Sequence, residues 1–154
     1  MIQVDRRDVR APLARVLDCA ADVERWPEWL EHYRWVRFLE RRTDGGVVEM
    51  AAWRPFGPLR WPTWWVSEMR VDRDVPTVRY RHVRGVTRGM DVEWSFAAAG
   101  DRVAVTITHR WGGPPWPLVG PAAAAIVIGP VFIHAIARRT LAGIGRVAER
   151  GGAP

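Results

Sequence analysis

The chain contains no lysine and no asparagine, and only one cysteine, Cys19. A lone cysteine excludes an internal disulfide framework and any metal centre built on several thiolates. Positive charge rests on arginine alone: 23 basic residues against 17 acidic ones, for a formal net charge of +6. The arginines stand singly or in pairs (Arg6-Arg7, Arg41-Arg42, Arg138-Arg139), and no block of like charge forms. That scatter argues against a nucleic-acid partner, which needs a basic stripe or patch. The opening MIQVDRRDVR has charges where a secretory leader needs an apolar run, so a reduced, cytoplasmic setting is expected. There is no phosphate-binding glycine loop, no dinucleotide fingerprint and no His–carboxylate grouping at metal-ligand spacing. No cofactor and no metal are therefore expected.

What the chain does have is tryptophan, ten of them, within 154 residues that are 48% hydrophobic and 26% charged. That length and balance suit one globular domain, residues 1–154, with a core that needs no metal or disulfide.

Residues 2–9 read as a strand. Ala11-Pro12 opens a helix with Leu13, Val16, Leu17 and Ala20 at helical spacing, Pro12 suiting its first turn. Asp22 is placed to cap a second short helix carrying Trp26, Trp29 and Leu30. From Tyr33 to Trp111 the period falls to two. Six segments, Tyr33–Arg42, Val47–Arg54, Trp61–Asp72, Thr77–Arg84, Gly89–Ala97 and Arg102–Trp111, are separated by turn signals such as Thr43-Asp44-Gly45-Gly46. Six strands in succession with short turns predict an antiparallel meander. After Pro117 the pattern is helical again: an uncharged run to Ala137, then an apolar stripe of Ile133, Ile136, Ala137, Thr140, Leu141, Ile144 and Val147. An antiparallel sheet with one apolar face has to cover it. The expected architecture is an α+β domain, with a curved seven-stranded antiparallel sheet wrapped around a long C-terminal helix and two short helices after the first strand.

Residues 118–137 match the thickness of a bilayer, roughly 20 residues. Pro121, Pro130 and His134 interrupt them, and moving this helix into lipid would uncover the sheet. No transmembrane span is expected; peripheral membrane contact stays open.

Strand parity divides the faces. Inward fall Met50 and Arg54 on the second segment, Thr63, Trp65, Ser67 and Met69 on the third, and Val78, Tyr80 and His82 on the fourth. Met90, Val92, Trp94 and Phe96 follow on the fifth, and Ile107, His109 and Trp111 on the sixth. The helix adds Phe132, Ile136 and Thr140. Aromatic walls with sparse polar groups suit a small-molecule pocket, although the same residues could simply fill a core. His82 and His109 are the inward histidines and so the candidate acid–base groups; His32 and His134 read as surface residues. Cys19, spaced with Val16 and Ala20, reads as a core filler.

Four stretches carry a family resemblance: Asp22-Val23-Glu24-Arg25-Trp26-Pro27-Glu28-Trp29 with Tyr33 after it; Trp65-Val66-Ser67; Arg79–Gly85 with Gly89-Met90-Asp91-Val92-Glu93-Trp94; and Gly129–Glu149. In this order they resemble the START-like (SRPBCC) superfamily, and within it the polyketide cyclase/dehydrase and coenzyme Q-binding branch. The resemblance implies a helix-grip fold with a hydrophobic tunnel between sheet and long helix, taking polyketides, quinones, isoprenoids or lipids. It also implies that Trp26, Tyr33, Met90 and Trp94 stand at or near the pocket. The arginine of the aromatase/cyclase members is not matched: Met69 stands at that position, Arg70 points to the opposite face, and a second basic pocket position falls at His82.

Three functions follow as alternatives. One is a site for a bulky hydrophobic guest that promotes cyclisation and dehydration, with Tyr33, Tyr80, His82 or His109 moving protons. Another is a non-catalytic carrier of a quinone or lipid. The third is a protein-partner module of the same superfamily. A monomer and a homodimer both stay open, with outward Trp53 and Trp64 as a contact if a dimer forms.

Overall fold

A computed structural model describes residues 1–56, 59–113 and 130–151 of the protein; the side chains of 54–56, 59, 61 and 130–132 fall outside that description. Strand β1 (Ile2–Val9) leads into helix α1 (Leu13–Ala21), a single 3-10 turn (Val23–Arg25) and the short helix α2 (Trp26–Trp29). Six strands follow: β2 (Tyr33–Arg42), β3 (Gly45–Phe56), β4 (Leu59–Asp72), β5 (Thr77–Gly85), β6 (Asp91–Ala99) and β7 (Arg102–Arg110). Helix α3 (Pro130–Arg150) closes the order. Of the uncharged run read as helix, residues 118–129 lie outside the described residues.

All neighbouring strands are antiparallel, in the order β1-β7-β6-β5-β4-β3-β2. The meander places each of β2 to β6 beside its successor, while β1 joins the far side of β7, Ile2 opposite Arg110. The chain between β1 and β2 therefore crosses from one sheet edge to the other through α1 and α2. Register shifts in β2 at Tyr33/Trp35 and Phe38/Glu40, and between β4 and β5 at Val66/Ser67, are bulges of the kind that bend a sheet. The expected seven-stranded helix-grip architecture is the one found.

The core lies between the concave face and the helices. Val16, Leu17 and Ala20 of α1 and Ile133, Ala137, Leu141, Ile144 and Ala148 of α3 are buried against it. The α3 stripe drifts from the expectation at its end, where Ala148 rather than Val147 is fully covered. Gly143 explains how closely α3 approaches α2. A Cβ there would lie 2.0 Å from Leu30 Cδ2, so only glycine leaves room for the packing as it stands.

Two local expectations change. Asp22 precedes the 3-10 turn but its carboxylate makes no capping hydrogen bond. Pro12 occupies the N-cap of α1 with extended backbone, one position before the first turn. No helix among the described residues is long and apolar enough to cross a membrane.

Candidate functional site

Beneath the first turns of α3 the concave face carries a continuous run of rings. Phe96 and Trp94 stack at 6.4 Å between centroids. Trp94 leans on Trp26 at 5.7 Å, and Trp26 meets Tyr33 edge-on at 5.2 Å. Tyr33 meets Trp65 at 6.2 Å, and Trp65 stacks on His82 at 5.8 Å with only 10° between planes. Four strands and α2 contribute to this run, so it ties the short helix to the sheet. Offset and edge-to-face ring pairs are the arrangements that aromatic quadrupoles favour. The Trp26 indole is further anchored by donating to the Cys19 carbonyl at 3.1 Å.

The rings line a hollow of about 90 Å³. Drug-sized ligands occupy pockets of roughly 300–1,000 Å³, so the space is much smaller than the expected tunnel. The reason is the size of the side chains: Trp26, Trp65 and Trp94 project into the volume they were expected to surround. Trp26, Tyr33, Met50, Trp65, Tyr80 and His82 line it, as do Met90, Trp94, Ile107, His109, Ile136 and Thr140. The structure brings all of these sequence-predicted positions together. Ser67, Met69 and Phe96 are buried on the same face but stand outside the lining. The side chains of Arg54 and Phe132 are outside the description. Thr63, Thr87, Val92, Ile133 and Ala137 join the wall. Thr63, Val92, Ile133 and Ala137 follow from parity and the helical stripe; Thr87 sits in the β5–β6 turn, where no periodicity marks it.

The polar groups divide into satisfied and unsatisfied. Thr63 donates to the Ala52 carbonyl at 2.9 Å. His82 Nδ1 pairs with the Thr87 hydroxyl at 2.6 Å. His32, expected at the surface, is buried, and its Nε2 lies 3.0 Å from Thr140 Oγ1. That hydroxyl donates to the Ile136 carbonyl at 2.9 Å, so the network assigns His32 Nε2 as the donor. The short chain between α2 and β2 carries no face pattern, which is why the sequence offers no sign of this link. Among the described residues Tyr80 OH and His109 Nδ1 are buried with no hydrogen-bond partner, and both residues line the hollow.

Burial sets the protonation states. It lowers His82 to about 3, with His109 adding to the shift. It lowers His109 to about 4, against an opposing pull from Asp5. His32 falls to about 4, through burial first and Arg139 second. Both phenols move up, Tyr33 through burial against the Thr140 hydroxyl beside it, Tyr80 through burial and Tyr33. At neutral pH these groups are uncharged, as desolvation dictates. No group of three metal-ligating side chains occurs among the described residues.

The outer face is organised differently. Arg79–Glu93 and Arg81–Asp91 pair across strands at 2.8 and 2.9 Å. On β2–β4, Glu49 is buried although it points outward: the Trp64 indole donates to it at 2.8 Å and Arg37 pairs with it. Parity gives the direction of Glu49 correctly but cannot show that tryptophans cover it.

The polyketide cyclase / dehydrase and lipid transport family model matches residues 9–131. A Streptomyces cyaneus protein named as a candidate polyketide cyclase is 28% identical over 108 residues, 70% of each chain. The crystal structure of the Zhui aromatase/cyclase of Streptomyces sp. R1128 superposes with a TM-score of 0.80 at 19% identity, covering 97% of this chain and 94% of that one. A START superfamily protein of Mycobacterium smegmatis gives a TM-score of 0.74 at 12% identity, covering 97% of both chains. At these identities the two structures establish the likeness of fold.

Proposed function

The chain belongs to the polyketide cyclase / dehydrase and lipid transport family, and from that premise we propose that it binds a bulky hydrophobic, polyketide-like guest between the sheet and α3. The observation that carries this reading is the pair of buried polar atoms, Tyr80 OH and His109 Nδ1, unpartnered among the described residues and facing a largely apolar hollow. Buried polar groups are nearly always satisfied, so these two mark where a guest or water supplies the missing hydrogen bonds.

A guest larger than the hollow needs the walls to part. Ile133 and Ile136 on the first turns of α3 line the hollow, and Ile133 belongs to the same core as Leu141, Ile144 and Ala148 farther along. Lifting the first turns would cost the packing of Ile133, a loss that the guest's own apolar surface offsets.

Within this reading, cyclisation and dehydration would come chiefly from holding a flexible chain in a folded shape. Tyr33, His82 and His109 remain the proposed proton-moving groups. A carrier without chemistry is the second reading, favoured by the titration of the site: no histidine facing the hollow is poised near pH 7, where acid–base catalysis is most effective. Met69, outside the lining, leaves that position without a cation for an enolate.

Two measurements separate these readings. Native mass spectrometry of the purified chain should show a co-purified hydrophobe or uptake of an added polycyclic ligand. Addition of the protein to a reactive poly-β-ketone should shift the product distribution, and Tyr33→Phe or His82→Ala should reduce the shift. Binding with an unchanged product distribution establishes the carrier; absence of both removes the hydrophobic-guest reading.

A further inference from the structure

The charge of the guest follows from what surrounds it. None of the described residues lining the hollow is an arginine, aspartate or glutamate. Segment 114–129, which lies outside the described residues, has no charged residue in its sequence. Among the described residues an ionised ligand group buried here would have no counter-charge, and an uncompensated buried charge is among the costliest arrangements in a protein.

One carboxylate stands next to the hollow. Asp5 of β1 is buried on the concave face, opposite Ile107, and its neighbour in register, Gln3, lies opposite His109. Ile107 and His109 both line the hollow. The Asp5 carboxylate takes a hydrogen bond from the Gln3 amide at 3.1 Å and pairs with His134 of α3. The His134 imidazole is thus already engaged, and its side chain is 47% exposed. Tyr80, Val92 and His109 are aligned in one lateral row across β5, β6 and β7. The two unpartnered atoms therefore come from strands roughly 10 Å apart, two strand spacings. Nδ1 of a neutral imidazole accepts or donates according to its tautomer, and a hydroxyl answers either, while a phenol presents a donor to a carbonyl.

We infer that the hollow selects uncharged guests bearing a hydroxyl or enol for His109 and a carbonyl or hydroxyl for Tyr80, and rejects carboxylates such as free fatty acids. This rests on the reading that the hollow takes a hydrophobic guest. The shifts of Tyr33, Tyr80, His82 and His109, all toward the neutral form through burial, are what such a selective surface produces.

Naphthalene, 2-naphthol and 2-naphthoate share one carbon skeleton and differ in the group tested. Their dissociation constants at pH 7.5, from amide chemical-shift titrations of the full chain, give the answer. Naphthol is expected to bind tightest and naphthoate at least about tenfold more weakly, a difference of about 1.4 kcal/mol. His109→Leu should erase the advantage of naphthol over naphthalene, with His109→Gln as the milder variant if the first does not fold. Naphthoate binding within about threefold of naphthol overturns the inference. Loss of that naphthoate binding in Arg54→Ala would identify Arg54 as the cation responsible. Failure of all three compounds to bind removes the hydrophobic-guest reading itself, and this inference with it.

Discussion

The Trp65 indole and the His82 imidazole lie 5.8 Å apart with their planes 10° from parallel, and Nδ1 of that histidine is held by the Thr87 hydroxyl. A histidine packed this way has no room for hydration of its charged form. Protonation must therefore be resisted by the folded state and welcomed by the unfolded one.

The consequence is a pH-dependent stability. His32, His82 and His109 have folded values near 4, 3 and 4, below the ordinary value of about 6.5. Depressed histidines contribute stability above the unfolded value and lose it as pH falls, because the unfolded chain takes up protons first. Between about pH 6 and pH 4 each such histidine should cost about 1.4 kcal/mol per pH unit. Urea unfolding at pH 7.5, 5.5 and 4.5 should show the decline, and His32→Gln should make it shallower. A midpoint that does not move over this interval would contradict the neutral, buried assignment.

Gly85 ends β5 with φ of +96°, and a Cβ there would lie 2.3 Å from the Trp64 carbonyl oxygen and 2.7 Å from Trp65 Cα. Both obstacles are backbone and cannot swing aside. Gly85→Ala should destabilise by about 2–4 kcal/mol, combining left-handed strain with displacement of β4. Because Trp65 moves with β4, the near-ultraviolet circular dichroism should change as well. A loss below about 0.5 kcal/mol would mean that the two strands part more easily than their packing implies.

Gly143→Ala offers a contrast of sign. Alanine raises helix propensity by about 1 kcal/mol, but its methyl would sit against Leu30 Cδ2, the mobile end of a side chain. In the native background a net loss of about 1–2 kcal/mol is expected. In a Leu30→Ala background the same change should stabilise. The double-mutant cycle decides it: additivity would show that the two residues do not compete for space.

Glu49 supports the outer aromatic surface. Glu49→Leu should cost about 1–2 kcal/mol by leaving the Trp64 indole N–H and Arg37 without their acceptor. Faster quenching of tryptophan by acrylamide should accompany it. Unchanged quenching would show that Trp64 is held by other contacts.

Much of this was legible in the chain because strands alternate. Trp65, Tyr80, His82, Trp94 and His109 turn inward by parity alone, and the turn glycines separate one strand from the next. Parity gives direction but not depth: Ser67, Met69 and Phe96 face inward yet lie outside the lining. It is silent in turns, which hid Thr87 and His32. It also says nothing about what one large side chain does to its neighbour: Glu49 points outward and is covered nonetheless, and three tryptophans shrink the space they were expected to frame. Volume is a property of how rings tilt, and tilt is decided by tertiary contacts that no spacing rule records.

The placement of β1 beside β7 has a bearing on how the molecule assembles. Each hairpin from β2 to β7 closes a short loop and forms quickly, whereas Ile2 waits for Arg110, and closing so long a loop is slow. During synthesis the first strand emerges without a partner and remains so until the last strand has left the ribosome. Its exposed apolar positions, Ile2 and Val4 among them, make that interval the one in which the nascent chain is most open to mispairing with another copy.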